Sequence, residues 1–297
     1  MAKEVAKTKN GNGTDLITDD MLSEMIANAG AGVSTASDDN ILPFIVLLQD
    51  MNPEVKKRDP GYVEGAEAGM YMNRATKALY AGDADTATRT GKPQLEFQHC
   101  VLTKEIVEWI PRTEGGGFVA RHELRGTVED SMRKLGGRLV ADPQDPNKSI
   151  WKTPDGRHDL VETRYHFGNI INDDQPQPAV IAFKSTGHTA SKAWNTLMLG
   201  FKIIGRDGKP ALDPVTGAIL SMPAYFRRYI VGSTPKENNK GSFFVTTVTD
   251  GGVIRDAGIR AAGLTLLEGA KAGLIKASTD EDGGGSGRGG AEVSDEI

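Results

Sequence analysis

The stretch Ala-Tyr-Phe-Arg-Arg-Tyr-Ile-Val at 224–231 carries the most informative chemistry in the chain. Read as a strand, with side chains alternating between two faces, it puts Tyr225, Arg227, Tyr229 and Val231 on one side and Phe226, Arg228 and Ile230 on the other. Aromatic rings interleaved with a cation suit a polyanion that carries bases. Each base offers a π-face worth about 1 to 3 kcal/mol when stacked, and cations follow the phosphates. Lys236 and Lys240 in the following turn, Lys184 on a preceding strand and Lys192 beyond it extend the basic track. The competing account is a plain sheet edge, with Tyr225 and Tyr229 as half-buried strand aromatics and the charges as a solvated rim.

Two tryptophans offer further stacking surfaces. Trp109 lies near Arg112, ahead of the glycine run 115–117, and Trp151 lies between Lys148 and Lys152. Each fits a stacking site or a loop anchor. Trp194 is different: it is centred on the stripe Ala190, Ala193, Trp194, Leu197, Met198 and Phe201, which is one face of a helix, and it belongs in the core.

Catalytic chemistry has less support. The chain has no phosphate-loop signature, no Gly-x-Ser-x-Gly elbow and no His-Glu-x-x-His pair. His99, His122, His158, His166 and His188 are scattered without metal-ligand spacing, and structural or surface roles are expected for them. Asp83 and Asp85 lack the rest of a calcium loop and read as a solvated turn. A non-enzymatic protein without a cofactor is the expectation.

The formal charge of −5 argues against a nucleic-acid partner only if charge is evenly spread, and here it is segregated. Asp280, Glu281, Asp282, Glu292, Asp295 and Glu296 stand against Arg288 alone, so residues 280–297 carry −5 by themselves. Residues 180–260 carry +6. A polyanionic tail on a flexible glycine-rich spacer can compete for a basic groove or engage protein partners. One cysteine, Cys100, rules out an intrachain disulfide, and no apolar run approaches a membrane span. These features predict a cytoplasmic protein that is neither exported nor membrane-inserted.

The elements that must position these residues form a β-rich α+β pattern. Residues 1–40 are expected to be a flexible N-terminal segment with a short helix between Thr18 and Gly30. A single core over 41–275 follows, then a disordered acidic tail over 276–297. Within the core, 53–93 reads as loop with short strands and 95–112 as a long strand. Residues 126–160 read as a short helix and a turn-rich insertion. Strands follow near 160–171 and 179–186, then a helix over 188–202, a hairpin over 224–250 and a final amphipathic helix.

Taken together, the segments AFKSTGHTASKAWNTLM, FRRYIVGSTPKENNKGSFFVTTV and EWIPRTEGGGFVARHE resemble phage-encoded single-stranded DNA-binding proteins, with the likeness extending from about Ile41 to Arg260. That resemblance implies an OB-like barrel with insertions and a few packed helices, and an acidic C-terminal tail that serves replication or recombination partners. Related tails commonly end on an aromatic residue, whereas this chain ends on Ile297. Two other classes fit the same features: a phage structural or virion-assembly protein without nucleic-acid binding, and an enzyme of nucleic-acid metabolism whose site matches no familiar motif.

Overall fold

The computed structural model describes residues 41–142, 145–173, 175–238 and 241–277. The expected N-terminal helix, the acidic tail and Lys240 lie outside these residues. Among the described residues there are thirteen strands and four α-helices. In chain order they are β1 (Ile41–Leu42), β2 (Phe44–Leu47), β3 (Tyr71–Asn73), β4 (Leu79–Tyr80), α1 (Ala84–Thr90), β5 (Leu95–Ile110) and β6 (Gly117–Glu123). Then come α2 (Val128–Lys134), β7 (Arg138–Asp142), β8 (Asp145–Lys152), β9 (Asp159–Ile170), β10 (Gln177–Lys184) and α3 (His188–Gly200). The last are β11 (Arg227–Asn238), β12 (Gly241–Val253), α4 (Ala257–Lys271) and β13 (Lys276–Ala277).

Eleven strands make one sheet whose main path runs β12-β11-β5-β9-β10-β2-β3-β4, with β6 added beside β5 and the β7–β8 hairpin beside β9. The sheet curls into a half barrel and the chain is β-rich α+β, as the sequence pattern predicted. Long alternating runs explain its spine: β5 and β9 pair antiparallel from Phe97↔Ile170 to Trp109↔Asp159. Within this sheet β10 and β2 pair in parallel, through Val180↔Phe44 and Ile181↔Ile45. Separately, β1 and β13 pair in parallel, so Ala277 sits opposite Leu42 and packs with Phe44.

The concave side is filled by α3. Trp194 is fully buried against Phe97, His99, His166, Phe183 and Tyr229, with ring centroids 4.6 to 6.4 Å apart. The apolar stripe therefore does what its spacing predicts. Helix α4 is fixed by an amide: buried Gln98 donates from Nε2 to the carbonyls of Tyr225 (2.8 Å) and Ile259 (2.9 Å) and accepts from Asn169 Nδ2 (2.7 Å). Gly263 permits that approach, because a Cβ there would stand 2.4 Å from Gln98 Nε2.

Three local expectations are corrected. Asp83 is the N-cap of α1, its Oδ1 accepting the Thr86 N–H at 2.7 Å, and not part of a solvated turn. The insertion at 126–160 holds a second regular element, the β7–β8 hairpin. The predicted strand starting at Ala224 begins instead at Arg227, and Ala224–Phe226 is a 3-10 turn.

Candidate nucleic-acid interface

That last correction changes the meaning of the 224–231 pattern. Tyr225 lies in the turn, with its ring against Phe226. Tyr229 is 0% exposed and sits in the Trp194 cluster, so it offers no face to a base. Burial raises its hydroxyl pKa to about 12. The Arg227 side chain is 12% exposed, ion-paired with Asp250, and its guanidinium carbon lies 3.6 Å from the Phe201 ring centre. The expected stacking face is thus the core face: alternation groups Arg227 with Tyr229 but not with Tyr225, and the side those two share is the one α3 covers. Nor is Trp151 at an open surface. It is half-buried under Arg133 (5.8 Å) and packs against the Ile106, Met132 and Leu160 cluster.

The basic and aromatic residues that do meet are elsewhere. An open groove of about 930 Å³ lies between β2 and the end of β10 on one side and β12 on the other, with the start of α3 alongside. Among the described residues three cations line it, Arg74, Lys184 and Lys236, and no Asp or Glu does. Phe44, Phe183, Phe243 and Phe244 supply aromatic surface, and Thr186, Thr189, Thr234 and Thr247 supply hydroxyls. Phe243 and Phe244 are half-buried, whereas Phe44 and Phe183 are closed into the core.

Of the residues picked from sequence, Lys184 and Lys236 line this groove and Trp109 is tied to it. Lys184 Nζ stands 3.6 Å from the centre of the Trp109 ring, and Phe118 packs edge-on to the same indole. Trp109 is therefore a holder for a groove lysine. Lys192 is exposed on α3 outside the lining set. Arg112 belongs to the 3-10 turn Arg112–Glu114. Arg74, Phe243 and Phe244 were missed. The Phe243-Phe244 pair stands beside Lys236 across the hairpin, and the Phe-Phe run was the signal available for it.

The match to known families comes at this point. The model of the Pam3 phage gp34-like proteins matches residues 12–276. The chain belongs to that family, and it is a phage protein. No curated protein and no solved structure matches it. The family's matched span includes the whole groove, from Phe44 to Val248.

Two histidines meet in a second hollow of about 380 Å³. His158 Nδ1 and His122 Nε2 approach Glu108 at 2.6 and 3.0 Å. Burial pushes the Glu108 pKa up, but the hydrogen bonds from His158 and His122 outweigh it and hold the carboxyl below its ordinary value. Among the described residues no group of His, Cys, Asp and Glu is arranged to hold a metal ion, and no helix is long and apolar enough to cross a membrane.

Proposed function

We propose that this phage protein is a non-catalytic single-stranded DNA-binding protein acting in replication or recombination, and that the half barrel is an OB-like scaffold for the purpose. One observation supports it above the others: among the described residues, three cations and no acid line a single groove walled by half-buried phenylalanines. In a chain of net charge −5, an acid-free groove with three cations is a local field that favours a polyanion. A strand lying there would gain phosphate neutralisation from Arg74, Lys184 and Lys236 and stacking on Phe243 and Phe244. Neither term depends strongly on base identity, so binding would be sequence-tolerant. The acidic tail would compete with DNA for the same groove and present itself to partner proteins when displaced.

A second reading has its own observation. Between α3 and β11, Ile204, Leu212, Val215 and Ile219 stand exposed, Val215 at 90%. Such an apolar cluster fits a surface used in assembly, as a structural or virion-assembly protein would need. Titration of fluorescently labelled oligo-dT separates the two. Saturable, salt-sensitive binding supports the first reading, and its absence at low ionic strength leaves the second.

A further inference from the structure

The groove exists because the half barrel stops short of closing. Strand β12 is the last of its path and, among the described residues, pairs only with β11, so its other edge faces the gap toward β2. At one point that edge is satisfied by a side chain. Gln49, two residues past the end of β2, donates from Nε2 to the Phe244 carbonyl at 3.0 Å and accepts the Phe244 N–H on Oε1 at 2.8 Å. The amide thus supplies both bonds that a neighbouring strand would give Phe244.

The surroundings hold that amide in place. The Gln49 N–H donates to Asn52 Oδ1 at 2.7 Å, and Leu48 is bonded to both Met70 and Gly69 through its backbone, at 2.8 Å each. Gly69 has φ +89°, and a Cβ on it would stand 2.6 Å from the Phe244 ring, so only glycine lets the ring settle there. A little further along, Tyr71 Oη donates to the Gly232 carbonyl (2.9 Å) and accepts from Thr246 Oγ1 (2.8 Å).

We infer that Gln49 is the positioning residue that sets the width of the groove, acting through Phe244 as a one-residue substitute for a strand. The inference rests on the groove being the DNA surface only for its effect on binding. The latch itself can be read without DNA. Gln49→Met keeps the length of the side chain and removes both bonds. Gln49→Glu keeps one acceptor, but as a carboxylate it faces the Phe244 carbonyl without a proton to donate; protonated, it regains a donor and an acceptor.

The test is hydrogen exchange and oligo-dT binding on the full chain, for the parent and both variants, between pH 7.5 and about pH 4, below the usual glutamate pKa. At pH 7.5 both variants should lose protection across 243–248, Gln49→Met most strongly at the Phe244 amide itself, and bind oligo-dT roughly tenfold more weakly, the scale of one net hydrogen bond. On acidification Gln49→Glu should recover protection relative to the parent while Gln49→Met does not, a pH profile that simple loosening of the fold would not give. Parental protection at Phe244 in Gln49→Met, or the same pH response in both variants, overturns the inference. If the parent itself fails to bind oligo-dT, the proposed function falls, and exchange alone decides whether Gln49 holds the groove wall.

Discussion

Lys184 and Trp109 are 75 residues apart in sequence, yet the lysine ammonium rests over the indole at 3.6 Å from its centre, at the edge of the groove. A cation held over an aromatic ring gains about 0.5 to 2 kcal/mol, depending on how far it is desolvated. In the proposed function, Trp109 contributes by holding Lys184. The two substitutions Trp109→Leu and Lys184→Ala should be non-additive in oligo-dT affinity, with a coupling of about 0.5 to 2 kcal/mol in a double-mutant cycle. Additive losses would mean that the indole contacts DNA on its own account.

Tyr229 and Trp194 should behave as core. Trp194→Ala should cost about 3 to 5 kcal/mol of stability, the range for a buried large aromatic. The Tyr229 hydroxyl is buried with no hydrogen-bond partner among the described residues, so Tyr229→Phe removes an unsatisfied group. That variant should melt at or above the parental temperature and bind oligo-dT like the parent. A Tyr229→Phe protein that melts normally but loses affinity would return this residue to the binding surface.

Stability should fall in mild acid. His99 and His166 lie in the Trp194 cluster, where burial lowers the His99 pKa to about 3 and holds His166 well below its ordinary value, the neighbouring His99 and Arg164 adding to the shift. Below the unfolded pKa of about 6.5 the unfolded chain binds protons that the folded chain excludes. Each histidine then subtracts up to about 1.4 kcal/mol per pH unit, from about pH 6.5 down toward its folded pKa. Urea titrations at pH 7.5, 6 and 5 should show the decline, and His99→Phe should make it shallower by about that slope. An unchanged slope in His99→Phe would assign the acid sensitivity to other groups.

Much of the scaffold was legible because its signals are local. The alternation from Leu95 to Ile110, the strands on either side of residue 175 and the Trp194 stripe follow from periodicity alone. Helix α1 was missed because its sequence, Ala-Asp-Thr-Ala-Thr-Arg-Thr, buries nothing and so has no apolar stripe to read. The β7–β8 hairpin was hidden by a composition rich in Pro, Asp and Lys. The site was harder for a different reason. Alternation groups Tyr229 with Arg227 but does not say whether α3 or solvent covers them, and the contact that shapes the groove, Gln49 to Phe244, spans 195 positions. Lys184 and Lys236 were found because charge is visible in sequence; the wall that brings them together is not.

The described residues end at Ala277, near the groove. Ala277 pairs with Leu42 and packs against Phe44, a groove residue. A protein ending at residue 279 should bind oligo-dT more tightly than the full chain at low salt, with the gain shrinking as ionic strength rises. Equal affinities in about 20 mM salt, where the Debye length exceeds 20 Å, would remove the tail from the groove.

In the proposed function the groove, which no described acid lines, neutralises phosphates, and the salt dependence of oligo-dT binding reads that neutralisation. Three cations acting on a single strand predict a slope of log K against log salt near −2, at about 0.7 per phosphate. Lys236 is exposed on its strand, so Lys236→Ala should leave the melting curve unchanged, reduce the slope by about 0.7 and weaken binding most at low salt. A Lys236→Ala protein with parental affinity and parental slope, or a parent whose binding ignores salt, would contradict the account.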